Sequence, residues 1–391
     1  MKISFLVMNV TSMGGTVRTT LNLAESLADR HEVEIISVFN TRATPFFEIS
    51  PRVKVRILDD RFDETRGRGL AGLVRGVASK LPSRYIHRKE SARGSFSRWT
   101  DFRLRRELRR LDTDVLVSTR ASITLAVTRF APPGLVIVGQ EHVPLDAHIN
   151  GMHDAIGAQF GRLDALVTLT HVDAGAYTEL LRGAPTRVVR IANALPGGDR
   201  VQSDLSSKSV IAMGRLVPVK RYELLVQAFE IVAQKRPDWT LRIYGSGQRE
   251  KSIRKVIHQL GLYNQVFLMG RTNHVDTEYA KAAVAVVSSR LEGFGMTIVE
   301  AMSHGVPVVS TDCPHGPREI ISHGVDGLLV ENGDVDALAA GLLQMIDLDY
   351  DERRRFGQAA VEKARSFELD VICAQHEQLF AEVVAADRPR R

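Results

Sequence analysis

The chain has 391 residues, the apolar and charged fractions of an ordinary globular protein, and a formal net charge of +6. That length is too great for one hydrophobic core and points to two domains of about 150–200 residues each. Its two cysteines, Cys313 and Cys373, lie far apart in no metal-binding spacing, which suits a reducing cytosol and no disulfide frame, and no apolar run reaches the ~20 residues that span a bilayer.

In chain order, residues 3–8 predict a buried strand. The apolar run to Val10 is short and an amphipathic segment follows it, so it reads as a strand rather than a signal peptide. Met13-Gly14-Gly15 predicts a turn, and Val17, Leu21, Ala24, Leu27 and Ala28 share one face of a following helix. Residues 33–38 and 53–58 predict two more strands. Residues 61–110 then hold 15 Arg or Lys against 5 Asp or Glu, a local net charge of +10 that leaves about −4 for the remainder. Arg84-Tyr85-Ile86-His87-Arg88-Lys89, Arg98 and the run from Arg103 to Arg110 suit an anionic lipid surface. A solvated helical face with a loop would account for the same charges. No aromatic platform or recognition motif accompanies the arginines, which argues against nucleic acid.

Short β-branched runs at 115–117, 135–138 and 165–169 continue the first series of strands. Parallel strands with crossover helices are the simplest account. From 194 to 208 the chain turns polar and rich in turn residues, which predicts a linker. A second series follows at 210–213, 241–244, 266–269, 284–287, 306–310 and 328–330, and the last ~55 residues read as helical. The expected organisation is an N-terminal Rossmann-like domain over 1–193, the linker 194–208, a second Rossmann-like domain over 209–369, and a C-terminal helical segment, 370–391. The fold class is α/β, two doubly wound domains facing a central cleft, where a ligand would bind.

Chemistry concentrates at predicted strand ends. Leu-Glu-Gly-Phe-Gly-Met-Thr-Ile-Val-Glu, residues 291–300, joins the strand 284–287 to a short helix stopped by Gly305. Its glycines let backbone N–H groups approach a ligand, its helix N-terminus favours an anion, and its carboxylates, Glu292 and Glu300, suit hydroxyls. Gly214-Arg215-Leu216-Val217-Pro218-Val219-Lys220 follows the first strand of the second series; its two cations could hold a diphosphate, or could be surface charges beside Glu223. Gly14-Gly15 and Gly245-Ser246-Gly247 are weak turn signals, and neither completes the dinucleotide-binding pattern. His142 follows the strand 135–138. Gly270-Arg271-Thr272 ends another strand and could face a base or be a plain loop. Asp312-Cys313-Pro314-His315 has no spaced partners for a metal site.

Taken together, Glu292 and Glu300 in E-x7-E spacing, with Gly14-Gly15, His142 and Gly214-Arg215…Lys220 in order, resemble the retaining glycosyltransferases of family 4, which have the GT-B fold. The run Ser288-Ser289-Arg290-Leu291-Glu292, with Asp312 to Ile320, is similar to the subgroup that builds bacterial surface polysaccharides, lipid-linked oligosaccharides and teichoic-acid glycans. The hinge reads Ile191-Ala192-Asn193-Ala194 here, where the family commonly has Ile-Pro-Asn-Gly.

The resemblance implies roles. Glu300 would bind the ribose of a nucleotide, Glu292 would face the donor sugar, and the amides of Phe294, Gly295, Met296 and Thr297 would contact sugar and phosphate. Arg215 and Lys220 would clamp the diphosphate, Gly15 would approach it from the other domain, Arg271 would lie beside the base, and His142 would bond the sugar. The last helix would cross back onto the first domain. The implied reaction is metal-independent, needs no cofactor, and moves a hexose or N-acetylhexosamine from a nucleoside-diphosphate sugar, UDP by family frequency, to a glycan or lipid-linked acceptor. Catalysis would fall to Glu292, His142, Arg215 and Lys220. The implied location is the cytoplasm, at the inner face of the plasma membrane. Competing readings are a nucleotide-sugar epimerase of the same architecture and a non-catalytic sugar-nucleotide-binding protein.

Overall fold

A computed structural model describes residues 1–62, 69–148 and 151–386; part of the basic segment expected at 61–110 and the last residues of the expected C-terminal helix lie outside these. The chain divides into two compact units, Met1–Pro196 with the C-terminal segment from Leu369, and Gly197–Glu368.

Among the described residues, the first unit holds seven parallel strands: β1 (Lys2–Val7), β2 (Glu32–Phe39), β3 (Lys54–Asp59), β4 (Val115–Ser118), β5 (Val136–Gln140), β6 (Ala165–Thr168) and β7 (Arg187–Arg190). They lie in the order β3-β2-β1-β4-β5-β6-β7. The order reverses between β1 and β4, the switch point at which doubly wound sheets leave a crevice outside their carboxyl ends. Runs such as Val115-Leu116-Val117 are fully buried, as strands covered on both faces require. β7 had no clear signal in the sequence: Arg-Val-Val-Arg is four residues long and charged at both ends, as a short edge strand is.

The basic region carries two helices, Gly69–Lys80 and Arg98–Leu108. Ser97 starts the second one with a reciprocal capping box to Thr100. The helix Leu369–Ala385 belongs to the first unit and packs against the helix Gly15–Leu27. It buries Ile372, Cys373, His376, Leu379, Phe380 and Val383. Glu377 holds it through a two-pronged ion pair with Arg30 (2.8 and 2.9 Å) and a bond to His31 at 2.9 Å.

The second unit is a six-stranded parallel sheet of β8 (Ser209–Met213), β9 (Thr240–Tyr244), β10 (Val266–Gly270), β11 (Val284–Val287), β12 (Val308–Thr311) and β13 (Gly327–Val330), in the order β10-β9-β8-β11-β12-β13. Its switch point lies between β8 and β11. The core joins Leu225, Phe229 and Val232 of one helix to Leu338, Leu342 and Met345 of another across Val284, Val286 and Val309. β12 begins two residues later than the apolar run at 306 suggests, because Pro307 has no N–H for the ladder; its carbonyl accepts from Ala285 instead. The chain after β13 is helical, at Val335–Asp347, Tyr350–Arg365 and Leu369–Ala385. Residues 197–208 pack with the second unit, where Ser203 Oγ donates to the Ala282 carbonyl at 2.6 Å.

Phe380 is fully buried in the first unit. Phe380→Ala is expected to destabilise that unit by about 3–5 kcal/mol. Hydrogen exchange read strand by strand should show faster opening of β1 to β7 than of β8 to β13; equal acceleration in both sheets would contradict the assignment of this helix to the first unit.

Candidate functional site

The carboxyl edge of the second sheet gathers most of the predicted residues. After β8 the chain turns at Gly214 and runs through Arg215 to a single turn, Pro218–Lys220, before Arg221 adopts the left-handed region at φ 50° and opens the helix Tyr222–Lys235. A non-glycine residue there is uncommon. The loop after β11 holds Lys220 at both ends. Ser288 Oγ donates to the Lys220 carbonyl at 2.8 Å, and the Lys220 ammonium donates to Glu292 Oε1 at 2.6 Å. Ser289 Oγ donates to the same Glu292 oxygen at 2.6 Å, and its carbonyl accepts from Thr311 Oγ1 at 2.7 Å. Arg221 and Arg290 are tied together through Asn332. The Lys220–Glu292 pair is largely buried, with side-chain exposures of 18% and 10%.

The backbones approach closely here. Gly245 N–H donates to the Gly270 carbonyl at 2.7 Å, and Gly214 N–H to the Tyr244 carbonyl at 3.0 Å. A methyl group on Gly245 would fall 1.8 Å from the Gly214 carbonyl oxygen, and one on Gly316 would fall 1.7 Å from that of Phe294. Gly245, weak as a turn signal, is therefore required by packing, and Gly316 seats the Phe294 turn against the loop after β12. Glu292 forms a bridge with His315, itself a non-glycine residue at φ 79°. Such unusual conformations persist where the surrounding structure over-determines them.

The helix Met296–Ser303 starts at Gly295, which has φ 109° and offers no capping side chain; no acidic residue occupies the first turn. Thr297 Oγ1 in this turn is buried without a hydrogen-bond partner among the described residues. Phe294 is buried against Phe367, with ring centroids 5.6 Å apart, so its backbone rather than its ring faces the edge. Glu300 is half-buried one turn further on, close enough to add to the rise of the Tyr279 phenol's pKa, which burial mainly causes. Arg215 is exposed on the loop after β8. Arg271 is exposed after β10, with its Nε donating to Ser246 Oγ. Lys220, Glu292 and the turn 294–297 thus meet, while Arg215 and Arg271 reach the same edge without touching them. Burial and the Glu292 charge push the Cys313 thiol up to about 12, so it stays protonated and is no nucleophile.

In the first unit, Gly14 and Gly15 open the helix Gly15–Leu27 after β1. A methyl group on either would meet nothing within 4 Å. The protein's own packing therefore does not demand glycine at these positions. The helix has no side-chain cap and no acidic residue in its first turn, an arrangement favourable to an anion. His142 follows β5 on the same sheet edge, two strands from β1. Both its ring nitrogens are buried without a hydrogen-bond partner among the described residues, as is Asn193 Oδ1. Burial lowers the His142 pKa to about 4, with Asn193 near enough to oppose the shift. His376, from the helix Leu369–Ala385, is lowered to about 3 by burial and by His142. Beside them Glu141 is buried, its carboxyl raised by desolvation, with His148 at 3.5 Å.

Sequence reasoning missed Ser288 and Ser289 as ties, and His376 and Asn193 as neighbours of His142. Ser288-Ser289 stood inside the recognised run; His376 lies over two hundred residues from His142 and carried no signal.

Residues 199–363, within the second unit, match the family model for glycosyl transferases group 1. The chain is 38% identical over 397 positions to an exopolysaccharide phosphotransferase of Streptomyces coelicolor, covering 100% of this chain and 42% of that one. It is 27% identical over 237 positions to the poly(glycerol-phosphate) alpha-glucosyltransferase of Bacillus subtilis, covering 60% of this chain and 35% of that one. The chain thus spans less than half the length of either relative. A solved structure of S. aureus TarM with fondaparinux, alpha-GlcNAc-glycerol and UDP superposes with a TM-score of 0.75 at 16% identity over 97% of this chain and 99% of that one. That likeness identifies the fold as GT-B, two doubly wound parallel-sheet domains, as the sequence led us to expect.

Removing one partner of a largely buried ion pair leaves the other charge uncompensated. Lys220→Ala is expected to lower the stability of the second unit by about 3 kcal/mol, and Lys220→Ala with Glu292→Gln to recover at least half of that loss in denaturant titrations. Additive losses would show that the pair is not coupled. The two histidines generate a pH dependence. Both bind protons more weakly folded than at the ordinary value of 6.5, so the unfolded chain takes up protons first and stability falls as pH drops from about 6.5 toward 4. His376→Gln should reduce that slope by up to about 1.4 kcal/mol per pH unit. An unchanged slope would mean that His376 is protonated in the folded protein.

Proposed function

We propose that this chain, whose second unit matches the family model for glycosyl transferases group 1, is a retaining glycosyltransferase of family 4. It moves a hexose or N-acetylhexosamine from a nucleoside-diphosphate sugar, UDP-linked, to a cell-envelope glycan, lipid-linked or teichoic-acid-like acceptor. The observation that carries the reading is the Lys220–Glu292 pair set against the uncapped helix start at Met296. The names of the relatives, which speak of exopolysaccharide and poly(glycerol-phosphate), support the acceptor class. We place the enzyme in the cytoplasm at the inner face of the plasma membrane; no described helix is long and apolar enough to cross it.

In the reaction, the acceptor hydroxyl oxygen bonds to the anomeric carbon while that carbon's bond to the diphosphate breaks. The diphosphate leaves with the electron pair and takes the hydroxyl proton on the same face, which retains configuration. Lys220, Arg215 and the amides of Gly295, Met296 and Thr297 stabilise the leaving charge. We assign this work to protein cations and amides, without metal or cofactor. Glu300 holds the ribose, and Arg271 lies beside the base. Glu292 shares one oxygen with Lys220 and Ser289. That fixed arrangement supports a positioning role toward sugar hydroxyls rather than nucleophilic attack. Neutral His142 is suited to bond the sugar, since burial keeps it uncharged above about pH 4. Gly14 and Gly15, which the protein's own packing does not require, would admit the diphosphate.

A second reading comes from the Streptomyces relative, whose name describes phosphotransfer. There the acceptor would attack the sugar-bearing phosphorus, and a nucleoside monophosphate would leave. The released nucleotide separates the two. We expect one of UDP, GDP, ADP and dTDP to bind at micromolar strength without metal, and Glu300→Ala to weaken it at least ~10-fold, as loss of bonds to a buried hydroxyl pair does. Lys220→Ala should slow transfer sharply, and the double variant with Glu292→Gln should restore the fold without restoring transfer. Release of nucleoside diphosphate during turnover supports glycosyl transfer; release of monophosphate overturns it.

A further inference from the structure

From residue 72 onward the helix Gly69–Lys80 turns its larger apolar side chains outward and an arginine inward. Of its two cations, Lys80 is exposed and Arg75 points into the protein, where it bonds Asp59 Oδ1 at 3.0 Å and the Asp60 carbonyl at 2.8 Å. Three of its apolar residues point to solvent: Leu73 is 69% exposed, Val74 54% and Val77 60%. Positions 73 and 77 stand one turn apart and 74 and 77 share the same side, so the three form a stripe. Leu81, 38% exposed, continues it beyond the helix. A helix in water normally turns such a stripe toward the core.

The stripe runs on into the next helix, Arg98–Leu108. The Arg98 N–H donates to the Leu81 carbonyl at 3.0 Å, Pro82 bridges Ser97, and the two helices pack together. The outer face of this second helix carries Arg98, Phe102, Arg106 and Arg109 at one-turn spacing, all exposed, with Phe102 at 54%. Residues 72–110 hold 12 Arg or Lys and 3 Asp or Glu. Two of the three acids are buried and the third is partly exposed in an ion pair. Glu90 is buried and pairs with Arg120 at 2.5 Å, Asp101 is buried and accepts from Ser83, and Glu107 pairs with Arg56 at 2.6 Å. The outward surface is therefore apolar and cationic, and the one partly exposed carboxylate of this stretch, Glu107, is neutralised by Arg56.

We propose that this surface docks the protein onto an anionic lipid bilayer, with Leu73, Val74, Val77, Leu81 and Phe102 entering the headgroup–acyl boundary and Arg98, Arg106 and Arg109 meeting lipid phosphates. Apolar side chains flanked by arginine match the two components of an interfacial site, buried hydrocarbon and attraction to anionic headgroups. A nucleic-acid backbone would use the arginines and leave the aliphatic stripe in water. The proposal deepens the peripheral-membrane part of the reading above; it does not depend on the transfer reaction.

The test is co-sedimentation of the full chain with vesicles of phosphatidylcholine alone and of phosphatidylcholine mixed with phosphatidylglycerol, at low and moderate salt. The expected result is at least ~10-fold tighter partitioning onto the anionic vesicles. Leu73→Asp/Val77→Asp and, separately, Arg98→Ala/Arg106→Ala/Arg109→Ala should each lose at least ~10-fold. Nucleotide titration of both variants in solution should match wild type, which shows that they fold and separates failure of docking from failure of the donor site. Equal partitioning onto both vesicle types, or undiminished binding by the aspartate variant, overturns the proposal. So does a wild-type chain that ignores vesicles and instead self-associates in a manner that Leu73→Asp/Val77→Asp abolishes, since the stripe would then belong to a second copy. Equal capture of wild type and aspartate variant by an oligonucleotide, with no vesicle binding, would mark a plain polyanion surface and overturn it as well.

Discussion

Backbone-to-backbone contact at the carboxyl edge of the second sheet is the constraint on which the candidate site depends. Gly245 lies against the Gly214 carbonyl and Gly316 against that of Phe294, at separations that a side chain on either glycine would violate. These contacts stack the loops after β8, β9, β11 and β12 into one layer. Within that layer Lys220 reaches Glu292 across 72 residues of sequence, and Ser288 and Ser289 lock both partners. The layer converts two separate loops into one preorganised charge pair beside a helix start. Preorganisation of this kind avoids reorganisation cost when charge develops on a leaving group.

The first unit achieves its arrangement by burial. His142, Asn193 and His376 come from three distant parts of the chain and bring polar atoms together, and among the described residues both His142 ring nitrogens, Asn193 Oδ1 and His376 Nδ1 lack a partner at full hydrogen-bond geometry. Unpartnered buried polar atoms are costly. Neutral imidazoles lessen that cost, because desolvation has already removed their protons above about pH 4. The open space around Gly14 and Gly15 adds a helix start that no side chain caps among the described residues.

Much of this was legible in the sequence because parallel strands buried on both faces announce themselves as continuous Val, Ile and Leu runs. Residues 284–287 and 306–310 could be placed that way, and the Glu-Gly-Phe-Gly turn between strand and helix could be read from glycine and helical spacing. β7 was not legible, since Arg-Val-Val-Arg pairs along one edge only and needs no apolar run. The Lys220–Glu292 bond is not legible as a bond, because each residue by itself reads as a ligand contact and sequence spacing says nothing of long-range pairing. The helix Gly69–Lys80 concealed its meaning in another way. Its composition showed the charge of the region, but only the fold reveals that Arg75 faces inward and Leu73 outward.

The first unit is discontinuous in the chain: it leaves at Pro196 and is completed by the helix that starts at Leu369. During translation its seven strands therefore emerge without the helix that buries Phe380 and Leu379. At about 5–20 residues per second, synthesis of the intervening 172 residues takes roughly 9–34 s. For that interval the side of the helix Gly15–Leu27 that packs against the last helix lacks its partner on the ribosome while the second unit, contiguous in sequence, can finish folding. The unit made first is thus completed last, and its unfinished apolar surface is what a cotranslational chaperone would meet.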